Sequence, residues 1–224
     1  MTARADRGLG APVRLAAGAV AAALLRSSFT AKAGSARFYW LTAGLAGTWA
    51  VGALGAGPLP WRGDGGRQGN AARALVIVPV VSGGAAFAVF YGAARVASRS
   101  RTLRRAIASV LRYADAGSTP LVVLIAAGSG IAEEMFFRGA LWSGPHPLRT
   151  TTLAYVASTA ATGNPALVLA GLVTSVIFGR QRAATGGVLA PALTHVTWSL
   201  LMLRYLPPLF RVVNQAPDPT AARQ

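Results

Sequence analysis

The 224-residue chain contains no cysteine. Disulfide bonds, thiolate zinc sites and a cysteine nucleophile are therefore excluded, and the redox compartment is left open. Acidic residues are also scarce, because six aspartates and glutamates stand against 22 lysines and arginines, and histidine occurs twice. Any chemistry that needs an acid, a base or a metal ligand can draw on very few positions.

Charge of either sign is sparse as well. Charged residues make up 12% of the chain, hydrophobic residues make up 53%, and the mean hydropathy is +0.46. This apolar share exceeds that of an ordinary soluble domain. Apolar runs of roughly 15–22 residues, separated by short arginine-bearing loops, predict one integral membrane domain over residues 1–224. The predicted fold is all-α, a polytopic membrane bundle of about six or seven helices.

The net charge of +16 would suggest a nucleic-acid partner in a soluble domain. Here the arginines lie between apolar runs, as the positive-inside rule of membrane proteins produces. We therefore expect the lipid bilayer as the surrounding partner and no nucleic acid.

The first apolar run, residues 15–25, is short, and an Ala-x-Ala sequence follows at residues 31–33. This pattern resembles a signal peptide, but cleavage would require Arg26 and Lys32 to cross the membrane. An uncleaved segment is favoured. Whether residues 9–25 span the membrane or lie at its interface stays open.

Further spans are predicted where apolar runs recur, although the fourth and fifth are short: 38–54, 75–96, 121–137, 150–162, 166–178 and 188–206. The Gly- and Pro-rich residues 55–73 predict a solvent-exposed connector. Residues 95–112 hold six arginines and an amphipathic repeat. They predict a basic interfacial helix on the cytoplasmic side, with a solvated loop helix as the alternative.

The stretch GIAEEMFFRGALW, residues 130–142, sets both glutamates of the chain and an arginine into apolar sequence. One ionised side chain at a membrane centre costs about 3 kcal/mol, so these groups must face protein, water or each other. Helical spacing pairs Arg138 with Glu134 and leaves Glu133 free. A free carboxylate can take a proton from water, which is general-base catalysis of hydrolysis. The alternative is a buried ion pair that fixes helix packing.

Two later apolar segments carry polar pairs four residues apart. Tyr155 and Thr159 share one helical face, and so do His195 and Ser199, so both faces can meet the glutamates. His195 can donate to an oxyanion, hold a water or bond a neighbouring helix. His146, in the turn SGPHPL, is interpreted as a solvated loop histidine.

The segment EEMFFRG resembles the EExxxR motif of the CPBP intramembrane endopeptidases, a family that includes CAAX prenyl proteases and bacteriocin-processing or Abi-like immunity proteins. The sequences LAYVAST and GRQRAATGGVLAPALTHVTWSL follow in the same order as in that family. The resemblance implies a protease core over residues 117–206 and a peptide or membrane-protein substrate. The expected location is the bacterial plasma membrane.

The resemblance also implies roles for single residues. In the family the first glutamate works with a histidine to activate water, the second pairs with the arginine, and a later His-x-x-x-Asn contacts the oxyanion. Glu133, Glu134, Arg138 and His195 match these positions. A second motif, Phe-x-x-x-His, is replaced by Tyr155 and Thr159, and Ser199 replaces the asparagine. In a working protease Thr159 should lie beside Glu133 and His195, orienting water without sharing its proton.

A metal ion is disfavoured although the family is often labelled metalloprotease. Without cysteine or a second-motif histidine, Glu133, Glu134 and His195 remain as ligands, and Arg138 competes for Glu134. We therefore expect no cofactor. Three functions stay open: an active intramembrane endopeptidase, a proteolytically inactive scaffold or immunity-type binding protein of the same fold, and a small transporter or channel with a carboxylate ion site.

Overall fold

The computed structural model describes residues 10–63, 73–116 and 118–214. Within these ranges every long regular element is a helix and no strand occurs, which confirms the all-α membrane bundle. Two π-helical segments occur, Arg73–Ile77 before the third helix and Met135–Ala140 after the fifth. The described α-helices are α1 (Gly10–Thr30), α2 (Ala36–Gly55), α3 (Val78–Ala97), α4 (Arg101–Asp115), α5 (Thr119–Glu134), α6 (Pro147–Ala160), α7 (Pro165–Thr185) and α8 (Leu189–Asn214).

Among the described helices, four stretches are long and apolar enough to cross a membrane: Gly10–Thr30, Leu75–Ala97, Thr119–Ala140 and Pro165–Thr185. The first includes residues 15–25, so that run lies in a helix long enough to span. The predicted spans 38–54, 150–162 and 188–206 correspond to α2, α6 and α8, which fall short of this criterion in length or apolarity.

Asn164 explains the break between α6 and α7. Its side-chain oxygen accepts hydrogen bonds from the backbone N–H groups of Ala166 and Leu167, at 2.9 and 3.2 Å, and thereby caps α7. Its amide nitrogen donates to the carbonyl of Ala106 and the hydroxyl of Ser109, at 2.8 and 3.0 Å. One side chain thus starts α7 and ties α4 to the bundle.

The largest core cluster surrounds the π-helical residues Met135–Ala140, called the π segment below. Trp49 of α2 packs against Phe136 and Phe137, with ring centroids 4.6 and 5.0 Å apart. Gly52 permits this approach, because a Cβ there would lie 2.6 Å from the Ala17 side chain and 3.1 Å from Phe136. The core therefore holds α1 and α2 against the π segment.

The antiparallel helices give the bundle two ends. At the α4 end, Arg112 and Tyr113 donate to the carbonyl of Phe29 at 3.1 and 2.8 Å. At the opposite end, where α7 gives way to α8, the N–H groups of Val188 and Leu189 donate to carbonyls of the connector after α2. We call this second end the α7–α8 end.

The connector differs from its prediction. The carbonyls of Pro60 and Trp61 accept hydrogen bonds of 2.9 Å from Val188 and Leu189, so residues 56–63 pack on the bundle and are not a free solvent-exposed loop. Gly187 permits this pairing, because a Cβ there would lie 2.7 Å from the carbonyl oxygen of Trp61. Residues 64–72 of the connector lie outside the described residues.

Helix α4 has the predicted amphipathic pattern, but its apolar face is covered by protein. Ile107 and Leu111 pack against Leu206 and Phe210 of α8. This contact contradicts a loop helix that touches nothing, because α8 covers part of the apolar face. The arginines at positions 101, 105 and 112 are exposed.

We expect the α4 end to be cytoplasmic, because the densest arginine cluster lies there. The absence of cysteine makes the test direct, since Arg105→Cys introduces the only thiol of the chain. In intact cells a membrane-impermeant maleimide should label Arg105→Cys only after permeabilisation. Ser143→Cys, exposed at the α7–α8 end, is the matched control and should be labelled without it. Labelling of Arg105→Cys from outside would reverse the topology.

Candidate active site

The polar residues predicted from the sequence come from four elements of the bundle. Glu133 and Glu134 end α5, Arg138 lies in the π segment, Tyr155 lies in α6 and His195 in α8. At about 1.5 Å of rise per residue, Glu133 lies roughly 21 Å from the start of α5 and His195 roughly 9 Å from the start of α8. The cluster is therefore much nearer the α7–α8 end than the α4 end.

Glu134 and Arg138 form a completely buried ion pair. Nη1 of Arg138 donates to Oε1 of Glu134 at 3.0 Å, and both side chains are 0% exposed. Nη2 of Arg138 donates to Ser175 of α7, to its carbonyl at 3.2 Å and to its hydroxyl at 2.9 Å. The predicted pair facing the bundle interior is confirmed, and it links α5 to α7.

The backbone around Arg138 differs from the expected α-helix. From Met135 the chain is π-helical, and the N–H of Leu141 donates to the carbonyl of Phe136, five residues back, at 2.9 Å. Single turns of this kind within α-helices often occur at functional sites. The Glu134–Arg138 contact is present in this π-helical backbone as well, because both side chains still point into the same buried space.

His195 contacts Glu134, the second of the two adjacent glutamates. Its Nδ1 lies 3.0 Å from Oε1 of Glu134, and its ring stacks on Phe178 with centroids 4.9 Å apart. Gly130 of α5 leaves space for the ring, since a Cβ there would lie 3.3 Å from it. A carboxylate only accepts hydrogen bonds, so Nδ1 carries the hydrogen and Nε2 of the neutral ring is an acceptor. No described residue hydrogen-bonds to Nε2.

Glu133 is partly exposed and keeps one oxygen open. Its Oε2 accepts a hydrogen bond of 2.7 Å from the hydroxyl of Tyr155, so the expectation of an entirely free carboxylate is wrong by one contact. No described residue donates to Oε1. Glu133 is thus anchored on one side and open on the other.

Thr159 and Ser199 are not brought into hydrogen-bond contact with Glu133 or His195. The Thr159 hydroxyl donates to the carbonyl of Val156 at 3.0 Å and faces Gly171 of α7, where a Cβ would lie 3.0 Å from it. No hydrogen bond from the Ser199 side chain occurs among the described residues. Tyr155, one turn before Thr159, supplies the contact to Glu133.

The residues present do not fit a metal ion. Among the described residues, no three His, Asp or Glu side chains are grouped closely enough to hold one. Oε1 of Glu134 is already shared by the cationic Arg138 and by Nδ1 of His195. His146 is exposed at the start of α6, away from the cluster.

Ser175 belongs to the cluster and was missed in the sequence. It is completely buried and accepts two hydrogen bonds from Arg138, through its carbonyl and hydroxyl oxygens. The available signal was the polar pair Thr174 and Ser175 within the apolar run LVLAGLVTSVIFG. A buried cation in such a bundle needs acceptors on neighbouring helices, and a hydroxyl inside an apolar run is the natural candidate.

Fold and site together define an integral membrane protein with a carboxylate, arginine and histidine cluster buried between its helices. Residues 115–201 match the family model described as Type II CAAX prenyl endopeptidase Rce1-like. All seven predicted site residues lie in this segment. The resemblance of this segment to the CPBP and CAAX protease family is therefore confirmed. No curated protein and no solved structure matches the chain significantly.

Proposed function

We propose that the protein is an intramembrane endopeptidase in which Glu133 activates the water that hydrolyses a peptide bond. The observation that carries the proposal is the state of this carboxylate, which is held by Tyr155 at 2.7 Å and open at its other oxygen. Its neighbour Glu134 is completely buried, with Oε1 held by Arg138 and His195 and with Oε2 buried without a partner, so neither oxygen is exposed to water. Of the two glutamates, Glu133 is the one that can accept a proton from water.

The reaction begins with a water between Glu133 and His195. Oε1 of Glu133 takes one proton of this water, while Nε2 of His195 accepts a hydrogen bond from the other O–H and orients it. The water oxygen bonds to the peptide carbonyl carbon, and the carbonyl oxygen becomes an oxyanion. The oxyanion then re-forms the C=O double bond, the C–N bond breaks with its electron pair on nitrogen, and Glu133 gives its proton to that nitrogen, so that a carboxylic acid and an amine are released. Proton and electron-pair transfers are then complete.

Tyr155 has two roles in the proposed reaction. Its O–H first holds the Glu133 carboxylate in place. A protonated Glu133 is a weaker hydrogen-bond acceptor than the carboxylate. The phenol O–H is then available to the developing oxyanion. His195 cannot serve as that donor while Nε2 is unprotonated. The tyrosine thus performs part of the task that a second-motif histidine has in the family pattern.

Glu134 and Arg138 orient the reacting groups without touching the substrate. Glu134 holds the imidazole of His195 through Nδ1, which directs Nε2 toward the water. Arg138 pairs with Glu134 inside the bundle at 3.0 Å and holds the carboxylate in place. We propose that no metal ion, cofactor or nucleic acid takes part. The substrate is a peptide or a membrane protein that enters from the bilayer, and the location is the bacterial plasma membrane.

A proteolytically inactive scaffold or immunity-type binding protein is the second candidate. It is favoured by the positions of Thr159 and Ser199, which replace two family residues and make no hydrogen bond to Glu133 or His195. Such a protein would retain the buried cluster for packing and use its surface to recognise a partner.

Comparison of membrane peptides separates the two candidates. Cells producing the protein should contain cleavage products that are missing from cells producing Glu133→Ala and from cells without the protein. The control is Ser143→Ala, an exposed position that should leave the products unchanged. Identical peptide profiles for the chain and Glu133→Ala, at equal protein levels, would support the inactive scaffold.

A further inference from the structure

The end of the π segment leaves backbone carbonyls without backbone donors. The N–H of Leu141 donates to Phe136, that of Trp142 to Gly139 at 3.4 Å, and that of Ser143 to Leu141 at 2.9 Å. The carbonyls of Arg138 and Ala140 receive none of these hydrogen bonds. The last carbonyls of a buried helix need other donors, and here they come from distant side chains.

Arg182, in the last turn of α7, supplies the donor for Arg138. Its Nε donates to the Arg138 carbonyl at 2.7 Å, although the two residues are 44 positions apart. Its guanidinium also lies over the ring of Trp142, 5.6 Å from the centroid. Trp142 lies beside Gly179, one turn before Arg182, where a Cβ would be in ordinary van der Waals contact with the indole at 3.5 Å. Arg182 is thereby fixed from two directions.

The contact connects Arg182 to the histidine of the site in three steps. Arg182 holds the backbone of Arg138, the Arg138 side chain holds Oε1 of Glu134 at 3.0 Å, and that oxygen holds Nδ1 of His195 at 3.0 Å. A π-helical turn is less favourable than the α-helix, so a bond that fixes its terminal carbonyls determines the direction of Arg138.

We infer that Arg182 is a positioning residue of the active site, which fixes the π segment and through Arg138 and Glu134 orients His195. The catalytic part of this inference rests on the proposed function; the orientation of His195 does not. Lysine cannot replace the arginine fully, because one ammonium group cannot bond the carbonyl edge-on and cover Trp142 as a planar guanidinium does.

The chain offers a clean spectroscopic test, since it has two histidines. In a His146→Asn background, His195 is the single imidazole, and asparagine is a favourable residue at a helix start. The ¹⁵N resonances of the ring are recorded in the purified, detergent-solubilised full chain carrying Arg182→Gln or Arg182→Lys. Arg180→Gln is the matched control, an exposed arginine in the same helix with the same change of charge.

We expect Arg182→Gln to move the Nδ1 and Nε2 resonances and Arg180→Gln to leave them in place. With a substrate from the peptide comparison, Arg182→Gln should lower kcat by about 10- to 100-fold with little change in KM, as a small misplacement of reacting groups does. Arg182→Lys should shift the resonances less, and it provides the test if Arg182→Gln does not fold.

Unchanged His195 resonances in a folded Arg182 variant would overturn the inference, and so would equal shifts in Arg182→Gln and Arg180→Gln. Shifted resonances in a protein without any peptidase activity would leave the positioning role standing and would count against the proposed function alone. The two results are therefore distinguishable.

Discussion

Glu133→Gln is expected to lower the rate of peptide hydrolysis by about 10²- to 10⁴-fold, the contribution typical of a general base. Glutamine keeps the shape of the side chain and an oxygen that can accept from the Tyr155 hydroxyl, but it cannot take a proton from water. The purified protein is assayed in detergent or liposomes with a substrate identified from the peptide comparison. Its thermal midpoint should match that of the parent protein, because the exchange leaves the buried pair intact.

Tyr155→Phe is the graded comparison for this variant. It removes the hydroxyl that bonds Glu133 at 2.7 Å and keeps the ring that packs on Phe137. The rate should fall by less than in Glu133→Gln, because the base is still present. If Glu133→Gln retains the full rate while Tyr155→Phe loses it, Glu133 is not the base.

Arg138→Met is expected to destabilise the protein by about 3–5 kcal/mol, the cost of leaving one partner of a buried ion pair without the other. Glu134 would keep the contact to His195 and lose that to the guanidinium, and Ser175 would lose both hydrogen bonds from Arg138. Unfolding of the detergent-solubilised protein by increasing denaturant, followed by tryptophan fluorescence, measures the change.

Two comparisons make this result specific. Arg180→Met removes an exposed arginine from α7 and should have little effect on stability. The double variant Glu134→Leu/Arg138→Met removes both charges and should recover part of the loss, since apolar residues can replace a buried pair. A fully stable Arg138→Met would show that the pair is dispensable for the fold, and the structural role given to Glu134 would be wrong.

The features that the sequence predicts correctly are local ones. Long apolar runs between arginine-bearing loops require helices in a membrane, so the all-α bundle was predictable. Glu134 and Arg138 are four residues apart, and their contact needs no knowledge of other helices. The family match depends on motifs in a fixed order and was likewise visible in the chain.

The features that the sequence does not predict depend on contacts between distant segments. Nothing in the spacing of residues 130–142 marks the change from α- to π-helix, and the hydrogen bond that Arg182 donates to this segment comes from another helix. His195 is 61 residues from Glu134, so the packing of distant helices decides which of the two adjacent glutamates contacts His195. Tyr155 and Thr159 share a face, and periodicity alone cannot say which one meets Glu133.

Amphipathic patterns have a similar ambiguity. The apolar stripe of α4 suits a lipid interface as well as a neighbouring helix, because both cover hydrophobic side chains. The structure covers it with Leu206 and Phe210 of α8. Asn164 at the start of α7 also helps to hold α4 on the bundle, through its hydrogen bonds to Ala106 and Ser109.

If the protein hydrolyses peptides as proposed, the depth of the cluster within the bundle determines which compartment supplies the water. Each hydrolysed bond consumes a water, and at roughly 9 Å from the start of α8 the nearer supply is the compartment that borders the α7–α8 end. If the arginines of α4 mark the cytoplasm, that compartment lies on the opposite side of the membrane. The polar product of each cleavage would then leave to the exterior, and the enzyme would release peptide outward while its basic helix stayed inside.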